Sequence, residues 1–300
     1  MSHAEQGPAG RHMFYALGGG LGHVTRIRAL IHTLDLAGPM VTLSSSPLAA
    51  AAPFAPTPHV LLPPAASRQQ PQALQRWVQA CIRQFQPRDF WVDAFPAGIL
   101  GELDTIPELA GVNCSHIARL LHWPRYQARL PARPLHYRRA YVCETLTAPH
   151  LAYLQNHTET LAPLTLTDPP QPPATPRKPL AATHGADSER WLIVHAGPAQ
   201  ETQALIRHAE RLKQRAQSAV QLLLVTPRHS DSLRTSIPSI AAYPLEPLLP
   251  HADRLISACG FNVMRQAQAC AIPHDFLAFP RALDNQLLRG LRRRQAWQLG

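Results

Sequence analysis

Apolar runs alternate with helix-like patterns along the whole chain. The first half contains five strand-like runs, at residues 12–17, 40–46, 90–95, 112–118 and 139–144. Two segments, residues 24–38 and 71–85, have the spacing of amphipathic helices, with the apolar side chains on one face. Because the strand-like runs are continuously apolar rather than alternating, they are typical of a parallel sheet that is covered on both faces.

The same pattern restarts in the second half, after a stretch that is dense in proline. Residues 165–190 contain few apolar side chains, and proline at this density favours an extended linker. Strand-like runs follow at 191–197, 220–226, 254–260 and 274–279, with helix-like segments at 201–216, at 262–271 and from about 283. This order predicts an α/β protein with two doubly wound domains, at 1–164 and 191–300, joined by the linker at 165–190.

The charge of the chain favours anionic partners. With 29 Lys and Arg against 19 Asp and Glu, the net charge is +10. Such a balance suits nucleotide phosphates, nucleic acid or an acidic membrane surface. No RNA-binding signature is present, so nucleic acid is not the expected partner. Six of the arginines fall within residues 119–139, which form either a solvated basic face or a docking site for an anionic lipid or acceptor.

The remaining composition argues against metal, disulfides and membrane spans. The five cysteines are scattered, without the spacing of a disulfide framework or a zinc site. No His-Glu-x-x-His pair occurs, so neither a metal nor a cofactor is expected. No run of about 18 apolar residues exists, and the N-terminus lacks the pattern of a secretory signal. We therefore expect a cytoplasmic protein, with a peripheral contact at the inner membrane as an option.

Glycines are concentrated where the first strand should turn into the first helix, in "GGGLGHVTR". Gly18, Gly19, Gly20 and Gly22 predict a sharp turn with positive φ angles and a backbone that a ligand can approach closely. The dinucleotide fingerprint is not matched, because His23 stands at its third glycine and no acidic residue ends the second strand.

A second strand-to-helix turn lies in "SACGFNVMRQAQACAIP", residues 257–273. Gly260 should end a strand, and Phe261 and Asn262 should open a helix. Backbone N–H groups at such a helix start suit a diphosphate, because the N-terminus of a helix carries about half a positive charge. The alternative is an ordinary turn without a ligand.

Four stretches in order resemble a known family. "GGGLGHVTR", "WVDAFPAGILGEL", "ACGFNVMRQAQACAIP" and "DNQ" are similar to the motifs of nucleotide-sugar glycosyltransferases with the GT-B fold. Among these, the chain resembles the family of the peptidoglycan lipid N-acetylglucosaminyltransferase and related bacterial transferases. The resemblance spans about residues 12–290. It implies two Rossmann-like domains facing across a cleft, an N-terminal domain for the acceptor and a C-terminal domain for the donor.

The resemblance also implies roles for individual residues. Gly18 to Gly22 and His23 would border the cleft, and Gly260, Phe261 and Asn262 would present amides to the donor diphosphate. Asp284, Asn285 and Gln286 would contact the donor sugar. Independently of the resemblance, Arg228 at a strand end and Arg265 are candidate cations for the leaving diphosphate, and His195 and Gly197, after the first strand of the second domain, would border the cleft. The alternative for His195 is a histidine that is satisfied within the fold. His23 and Asp93 are the candidates for the base that takes the proton of the acceptor hydroxyl. The alternative for Asp93 is the cap of a following helix.

One departure bears on activity. The family usually has Glu where this chain has Gln266, and that carboxylate binds the ribose hydroxyls. Gln lacks the charge, so weaker nucleotide binding is expected. The overall expectation is a metal-independent glycosyltransferase that uses a nucleotide-diphosphate sugar, with UDP favoured, and an acceptor such as a lipid-linked or cell-envelope glycan. The alternatives are a nucleotide-sugar epimerase and a sugar-nucleotide-binding protein with weak or no catalysis.

Overall fold

The computed structural model describes residues 10–51, 54–170, 188–227 and 235–298. The described residues form two compact units. Unit 1 contains the residues up to Pro169 and the short segment Ala282–Asp284, and unit 2 contains the residues from Pro170 to Arg281 and from Asn285 onwards. Along the chain, unit 1 is therefore completed by three residues that follow the last strand of unit 2.

Unit 1 is built on a parallel sheet of seven strands in the order β3-β2-β1-β4-β5-β6-β7. The strands are β1 (His12–Tyr15), β2 (Met40–Leu43), β3 (His59–Leu61), β4 (Asp89–Asp93), β5 (Asn113–Ala118), β6 (Tyr137–Val142) and β7 (Thr158–Pro163). The helices are α1 (Gly22–Thr33), α2 (Pro71–Phe85), α3 (Trp123–Gln127) and α4 (Ala148–Asn156). The apolar face of α2 packs on this sheet through Leu74, Val78 and Ile82.

Unit 2 is built on a parallel sheet of five strands in the order β10-β9-β8-β11-β12. The strands are β8 (Ser188–Val194), β9 (Ala219–Thr226), β10 (Ser239–Ala241), β11 (Arg254–Ala258) and β12 (His274–Leu277). The helices are α5 (Ala199–Lys213), α6 (Phe261–Ala269) and α7 (Gln286–Gln298). Trp191 and Ile193 of β8 pack against Leu205 and Ile206 of α5 in the core. The expected pair of doubly wound α/β sheets is confirmed.

The first residues of the proline-rich stretch belong to unit 1. Leu166 is buried, and the backbone N–H of Thr167 donates to the hydroxyl of Thr33 over 2.8 Å. Residues 171–187 of the expected linker lie outside the described residues. Among the helices that the structure describes, none combines the length and the hydropathy that crossing a membrane requires.

Strand order fixes where a ligand site is expected in each unit. In a doubly wound sheet, ligands bind beyond the carboxyl ends of the strands where the strand order reverses direction. That point lies between β1 and β4 in unit 1, and between β8 and β11 in unit 2. The motifs with Gly18, Asp93, His195 and Gly260 each follow or end one of these four strands. Sequence motifs and topology therefore indicate the same sheet edges.

Candidate functional site

At the switch point of unit 1, a histidine and an aspartate are in direct contact. Asp93 is the last residue of β4, and His23 is the second residue of α1, the helix that follows β1. The His23 Nδ1 atom lies 2.6 Å from Oδ2 of Asp93. Asp93 is fully buried, and 8% of His23 is exposed. The two residues that the sequence predicted as catalytic therefore form one pair.

A buried arginine holds the other side of the same carboxylate. Arg26 lies one helical turn after His23, and residues three apart share a helix face. Its Nε donates to Oδ1 of Asp93 over 2.7 Å, and its Nη2 donates to Oδ2 over 2.8 Å. This two-pronged contact is the geometry in which arginine binds carboxylates most strongly. Asp93 is thus engaged by three charged or polar donor atoms.

The environment fixes the charge on each member of this cluster. Burial alone would raise the pKa of Asp93, but Arg26 and His23 outweigh burial and hold that pKa well below its usual range. The pKa of His23 is lowered because burial, together with the charges of Arg26 and Arg119, outweighs the attraction of Asp93. At neutral pH the cluster is therefore an ionised Asp93, a charged Arg26 and a neutral His23 imidazole.

The tautomer of His23 follows from its neighbours. An ionised carboxylate accepts hydrogen bonds and donates none, so the imidazole proton lies on Nδ1 and points at Asp93. The Nη2 atom of Arg26 is also near Nδ1, at 3.3 Å. This contact is not a hydrogen bond, because a protonated Nδ1 has no lone pair with which to accept one. Nε2 therefore carries the lone pair of the ring. Among the described residues, Nε2 has no hydrogen-bond partner.

The glycine loop has a different structural cause from the one expected. None of Gly18, Gly19 and Gly20 has a positive φ, so the expectation of left-handed backbone in this turn was wrong. A Cβ atom on Gly18 would lie 2.2 Å from Nε2 of His23, so this glycine makes room for the histidine ring. No atom lies within 4 Å of a Cβ built on Gly19 or Gly20. Gly19 and Gly20 are exposed and have room for a side chain, whereas the His23 ring leaves no room for one at position 18.

The alternative interpretation of Asp93 as a helix cap was also wrong. The chain makes a tight turn after β4, with Ala94 at a φ of 68°, and no helix begins there. Positive φ at a buried alanine is strained, and strained backbone is found preferentially at functional sites. The Asp93 side chain accepts hydrogen bonds from His23 and Arg26 instead.

A second ion pair in unit 1 involves one of the residues expected at the donor sugar. Arg119 directly follows β5, is buried, and donates from Nη1 to Oδ1 of Asp284 over 2.5 Å. The backbone of Asp284 also forms a bridge with Leu121. The Arg119 guanidinium lies 5.8 Å from the centre of the Phe95 ring, and Phe95 in turn contacts His23. Asp284 therefore neutralises a cation that lies near the His23 cluster.

The other two residues of that motif have structural contacts in unit 2. The side chain of Asn285 accepts from the N–H of Leu288 over 3.1 Å, at the start of α7. The side chain of Gln286 accepts from the N–H of Phe279 over 3.2 Å. Asp284 belongs to unit 1 and its two neighbours belong to unit 2, and their proposed contact with the donor sugar stays a prediction.

The turn after β11 in unit 2 leaves the start of a helix uncapped by a side chain. Gly260 is the N-cap of α6, with φ −69° and ψ 143°, which any residue adopts. A Cβ atom at this position would meet only Val263, at 3.8 Å. Neither backbone conformation nor packing requires glycine at position 260. The position is open among the described residues, and the expected approach of a diphosphate there stays a prediction.

Gln266, which stands at the family's glutamate position, is bound to a carboxylate. It lies on α6 and is buried, and its Nε2 donates to Oε1 of Glu246 over 2.8 Å. A glutamate at position 266 would place two carboxylates against each other at this distance. The amide of Gln266 and the charge of Glu246 therefore form one polar unit, and the sequence alone did not reveal Glu246.

Another histidine cluster follows the first strand of unit 2. His195 comes directly after β8, and its Nε2 lies 2.9 Å from Oε2 of Glu201, in the first turn of α5. Arg281 donates to both oxygens of Glu201 over 2.5 Å. A Cβ on Gly197 would lie 2.5 Å from Nε2 of His195, so this glycine too makes room for a ring. The pKa of His195 is lowered by burial, which outweighs Glu201.

Of the two candidate cations for the diphosphate, one lies within the described residues. Arg228 lies outside the described residues. Arg265 lies on α6, partly buried, within the second turn after Gly260. In the described ranges, no cluster of three or more His, Cys, Asp or Glu side chains is placed to hold a metal ion.

No protein-family model and no curated protein sequence matches the chain. Solved structures do match it in fold. The glycotransferase of kitacinnamycin aligns over 95% of this chain and 85% of its own, with 12% identity and a TM-score of 0.59. The glycosyltransferase SsfS6 of Streptomyces sp. SF2575, complexed with thymidine diphosphate, aligns over 90% and 82%, with 13% identity and a TM-score of 0.53.

A structure of another enzyme class has the same fold. The UDP-N-acetylglucosamine 2-epimerase from Rickettsia bellii aligns over 89% of this chain and 78% of its own, with 9% identity and a TM-score of 0.53. At these identities the likeness establishes the fold alone. The chain therefore consists of two Rossmann-like, parallel-sheet units, as in glycosyltransferases of the GT-B fold.

Proposed function

We propose that this protein is a glycosyltransferase that moves a sugar from a nucleotide-diphosphate donor to an acceptor hydroxyl. The observation that carries the proposal is the buried pair of His23 and Asp93, in which Nδ1 is bound and Nε2 keeps its lone pair. A neutral imidazole oriented by a carboxylate is the arrangement that general-base catalysis needs. The closer resemblance, to the family of the peptidoglycan lipid N-acetylglucosaminyltransferase, rests on the four sequence motifs.

In the proposed reaction, unit 1 activates the acceptor. Nε2 of His23 removes the proton of the acceptor hydroxyl as its oxygen attacks the anomeric carbon of the donor sugar. The bond from that carbon to the diphosphate oxygen breaks, and the diphosphate leaves with the electron pair. Asp93 stays ionised and stabilises the imidazolium that forms on His23, as carboxylates do in comparable pairs.

Unit 2 is proposed to bind the donor. Backbone N–H groups at the start of α6, beyond Gly260, would hold the diphosphate, where the helix dipole favours negative charge. Arg265 would add a cation on the same helix. This arrangement supplies charge stabilisation for the leaving group without a metal ion or a cofactor. A UDP-sugar is the proposed donor.

Gln266 and Glu246 together are proposed to bind the ribose hydroxyls. The carboxylate that the family carries at one position is here supplied from the segment before β11, with Gln266 holding it in place at 2.8 Å. A carboxylate accepts from sugar hydroxyls, and charge-assisted hydrogen bonds are about twice as strong as neutral ones. The uncharged Gln266 therefore does not by itself imply a binding protein without turnover.

We expect Glu246→Gln to raise the Kd for UDP about tenfold or more, because a charged hydrogen-bond partner is worth about 1.5–3 kcal/mol. Calorimetry with UDP, GDP and thymidine diphosphate measures this. Glu210→Gln, an exposed change on α5, is the matched control and should leave binding unchanged. If the wild-type protein binds none of the three nucleotides, the proposed function is contradicted. Unchanged UDP binding in Glu246→Gln would contradict only the ribose role.

Nucleotide-sugar epimerisation is the second candidate, because an epimerase has the same fold. An epimerase converts its nucleotide sugar without an acceptor, whereas a transferase releases the nucleoside diphosphate. Product analysis of a UDP-sugar incubated with the protein, with and without acceptor extracts, separates the two. An acceptor-independent change in the sugar would favour epimerisation and contradict transfer.

A peripheral contact with anionic lipid, and hence a lipid-linked acceptor, is proposed for the basic segment 119–139. Arg125 and Arg133 are exposed there, whereas Arg119 is buried in an ion pair and Arg129 donates to the carbonyl of Ile99 over 2.8 Å. Only part of the segment is therefore a solvated basic face.

The double change Arg125→Ala/Arg133→Ala is expected to reduce retention on vesicles that contain phosphatidylglycerol, since each basic group near such a surface contributes about 1 kcal/mol. The matched control removes two exposed arginines of unit 2, Arg211 and Arg215. Equal retention of wild type and the Arg125/Arg133 variant in a flotation assay would end this part of the proposal.

A further inference from the structure

Arg26 is the most deeply buried arginine of the described residues and lies in the core of unit 1. Only 3% of it is exposed, and its guanidinium makes two hydrogen bonds to Asp93. It stands on the face of α1 that carries the buried residues His23, Ile27 and Leu30. An arginine with no function would not be expected on this face, because removing a guanidinium from water is costly.

The geometry places Arg26 on the carboxylate that orients the histidine. Nη2 of Arg26 and Nδ1 of His23 both contact the same oxygen, Oδ2 of Asp93, at 2.8 and 2.6 Å. Nε of Arg26 fixes the other oxygen at 2.7 Å. With both oxygens held, the carboxylate has one orientation, and that orientation presents Oδ2 to the histidine.

Charge follows from the same contacts. A buried carboxylate with no other partner would attract a second proton to His23, and a protonated imidazole cannot act as a base. Arg26 neutralises Asp93 without removing its hydrogen bond to Nδ1. We propose that Arg26 is a positioning residue, which holds Asp93 toward His23 and keeps the imidazole uncharged at neutral pH. This inference rests on the proposed function, but the charge on His23 is measurable without turnover.

Two more charged groups lie near this cluster. Arg119, after β5, is paired with Asp284, and the charge of Asp284 also acts on Arg26. Burial has the largest effect on the pKa of His23, and the charged groups that act on it are Asp93, Arg26 and Arg119. Removal of Arg26 leaves Asp93, at 2.6 Å, as the nearest charge to the ring. Both the lost cation and the carboxylate charge that is no longer neutralised then favour the protonated imidazole.

The test is an NMR titration of His23 in the full chain with labelled histidine, assigned by comparison with His23→Gln. Arg26→Gln is expected to raise the His23 pKa by about one unit or more, which is tenfold in proton affinity. Arg28→Gln, two residues along the same helix, is the matched control and should leave the titration unchanged. A His23 pKa in Arg26→Gln that equals or falls below that of the wild type would overturn the proposal.

Arg26→Lys covers the case in which Arg26→Gln does not fold. Lysine keeps the cation but replaces the two-pronged contact with a single point charge. We expect its His23 pKa to stay within about half a unit of the wild type, while kcat falls about tenfold with an unchanged KM. Wild-type kcat in Arg26→Lys, or a raised pKa there, would contradict the positioning role. If the His23 pKa values change as expected but the wild-type protein shows no sugar transfer, only the proposed function is contradicted.

Discussion

Replacing His23 with alanine is expected to lower kcat for sugar transfer by about 10²–10⁴, the usual contribution of a general base. The physical reason is that Nε2 carries the ring's lone pair, with Nδ1–H bound to Asp93 at 2.6 Å. No other described residue combines a neutral imidazole with a buried carboxylate at the carboxyl edge of unit 1. Without it, the acceptor hydroxyl must lose its proton to water.

The measurement separates catalysis from binding and folding. Single-turnover assays of His23→Ala should show the loss in the transfer step, while calorimetry with UDP should match the wild type, because the proposed donor site lies in unit 2. His32→Ala is the matched control, since His32 is exposed near the end of the same helix. Partial recovery of transfer on adding free imidazole would support the role. A His23→Ala variant with wild-type kcat would exclude His23 as the base.

The sequence predicted the central strands and the strongly patterned helices, and it missed the edge strands and two short helices. The expected helix at 71–85 is confirmed at both ends, because Pro71 suits a first helical turn and the apolar face is continuous. The missed strands β3, β7 and β10 lie at the edges of the two sheets, where exposure removes the apolar signal. The missed helix α3 has five residues, too few to show a period. In the missed helix α4, Leu154 is buried whereas Leu151 is exposed, so the apolar residues do not mark one face.

The candidate site could be predicted in part because topology brings the ends of adjacent strands together. His23 and Asp93 both follow strands at the switch point of a parallel sheet, so their proximity follows from the expected fold. Arg26 was missed because arginine on a helix usually faces water. The available signal was its spacing, three residues after His23 on the same apolar face. The partnership of Asp284 with Arg119 joins residues 165 positions apart and left no local pattern.

The sequence indicated which turns require glycine, but not the physical reason for each glycine. Gly18 and Gly197 are each required by a histidine ring that would collide with a Cβ atom, at 2.2 and 2.5 Å. Neither needs a ligand to explain it. Gly260 differs, because no described atom lies closer than 3.8 Å to its Cβ position and its φ is ordinary. The ligand interpretation is therefore best supported at Gly260, and it remains a prediction there.

The largest expected effect on stability is that of Asp93→Ala, at about 3–5 kcal/mol in the free energy of unfolding. The substitution leaves the guanidinium of Arg26 buried with its principal acceptor removed, and a lone buried charge costs far more than the pair contributes. Asp89→Ala, at the other end of β4, removes a partly exposed carboxylate and is the matched control. Its expected cost is about 1 kcal/mol or less. Urea unfolding of both variants at pH 7 measures the difference.

The pH dependence of the unfolding free energy is an independent test of the same prediction. Because the folded pKa of Asp93 is depressed, the unfolded chain binds its proton first on acidification. The stabilisation by Asp93 is therefore complete above about pH 4, the ordinary pKa of aspartate, and is lost as the pH falls further. His150, whose pKa burial lowers to about 3, also destabilises the fold in acid, but equally in both proteins. Asp93 raises the pKa of His23 and of His116, so the comparison is made in proteins that carry His23→Gln and His116→Gln, with and without Asp93→Ala. The gap in unfolding free energy between these two proteins should stay constant from pH 8 to 5 and narrow below pH 4. A gap that widens in acid, or one below 1 kcal/mol at pH 7, would show that Asp93 does not carry the buried charge of Arg26.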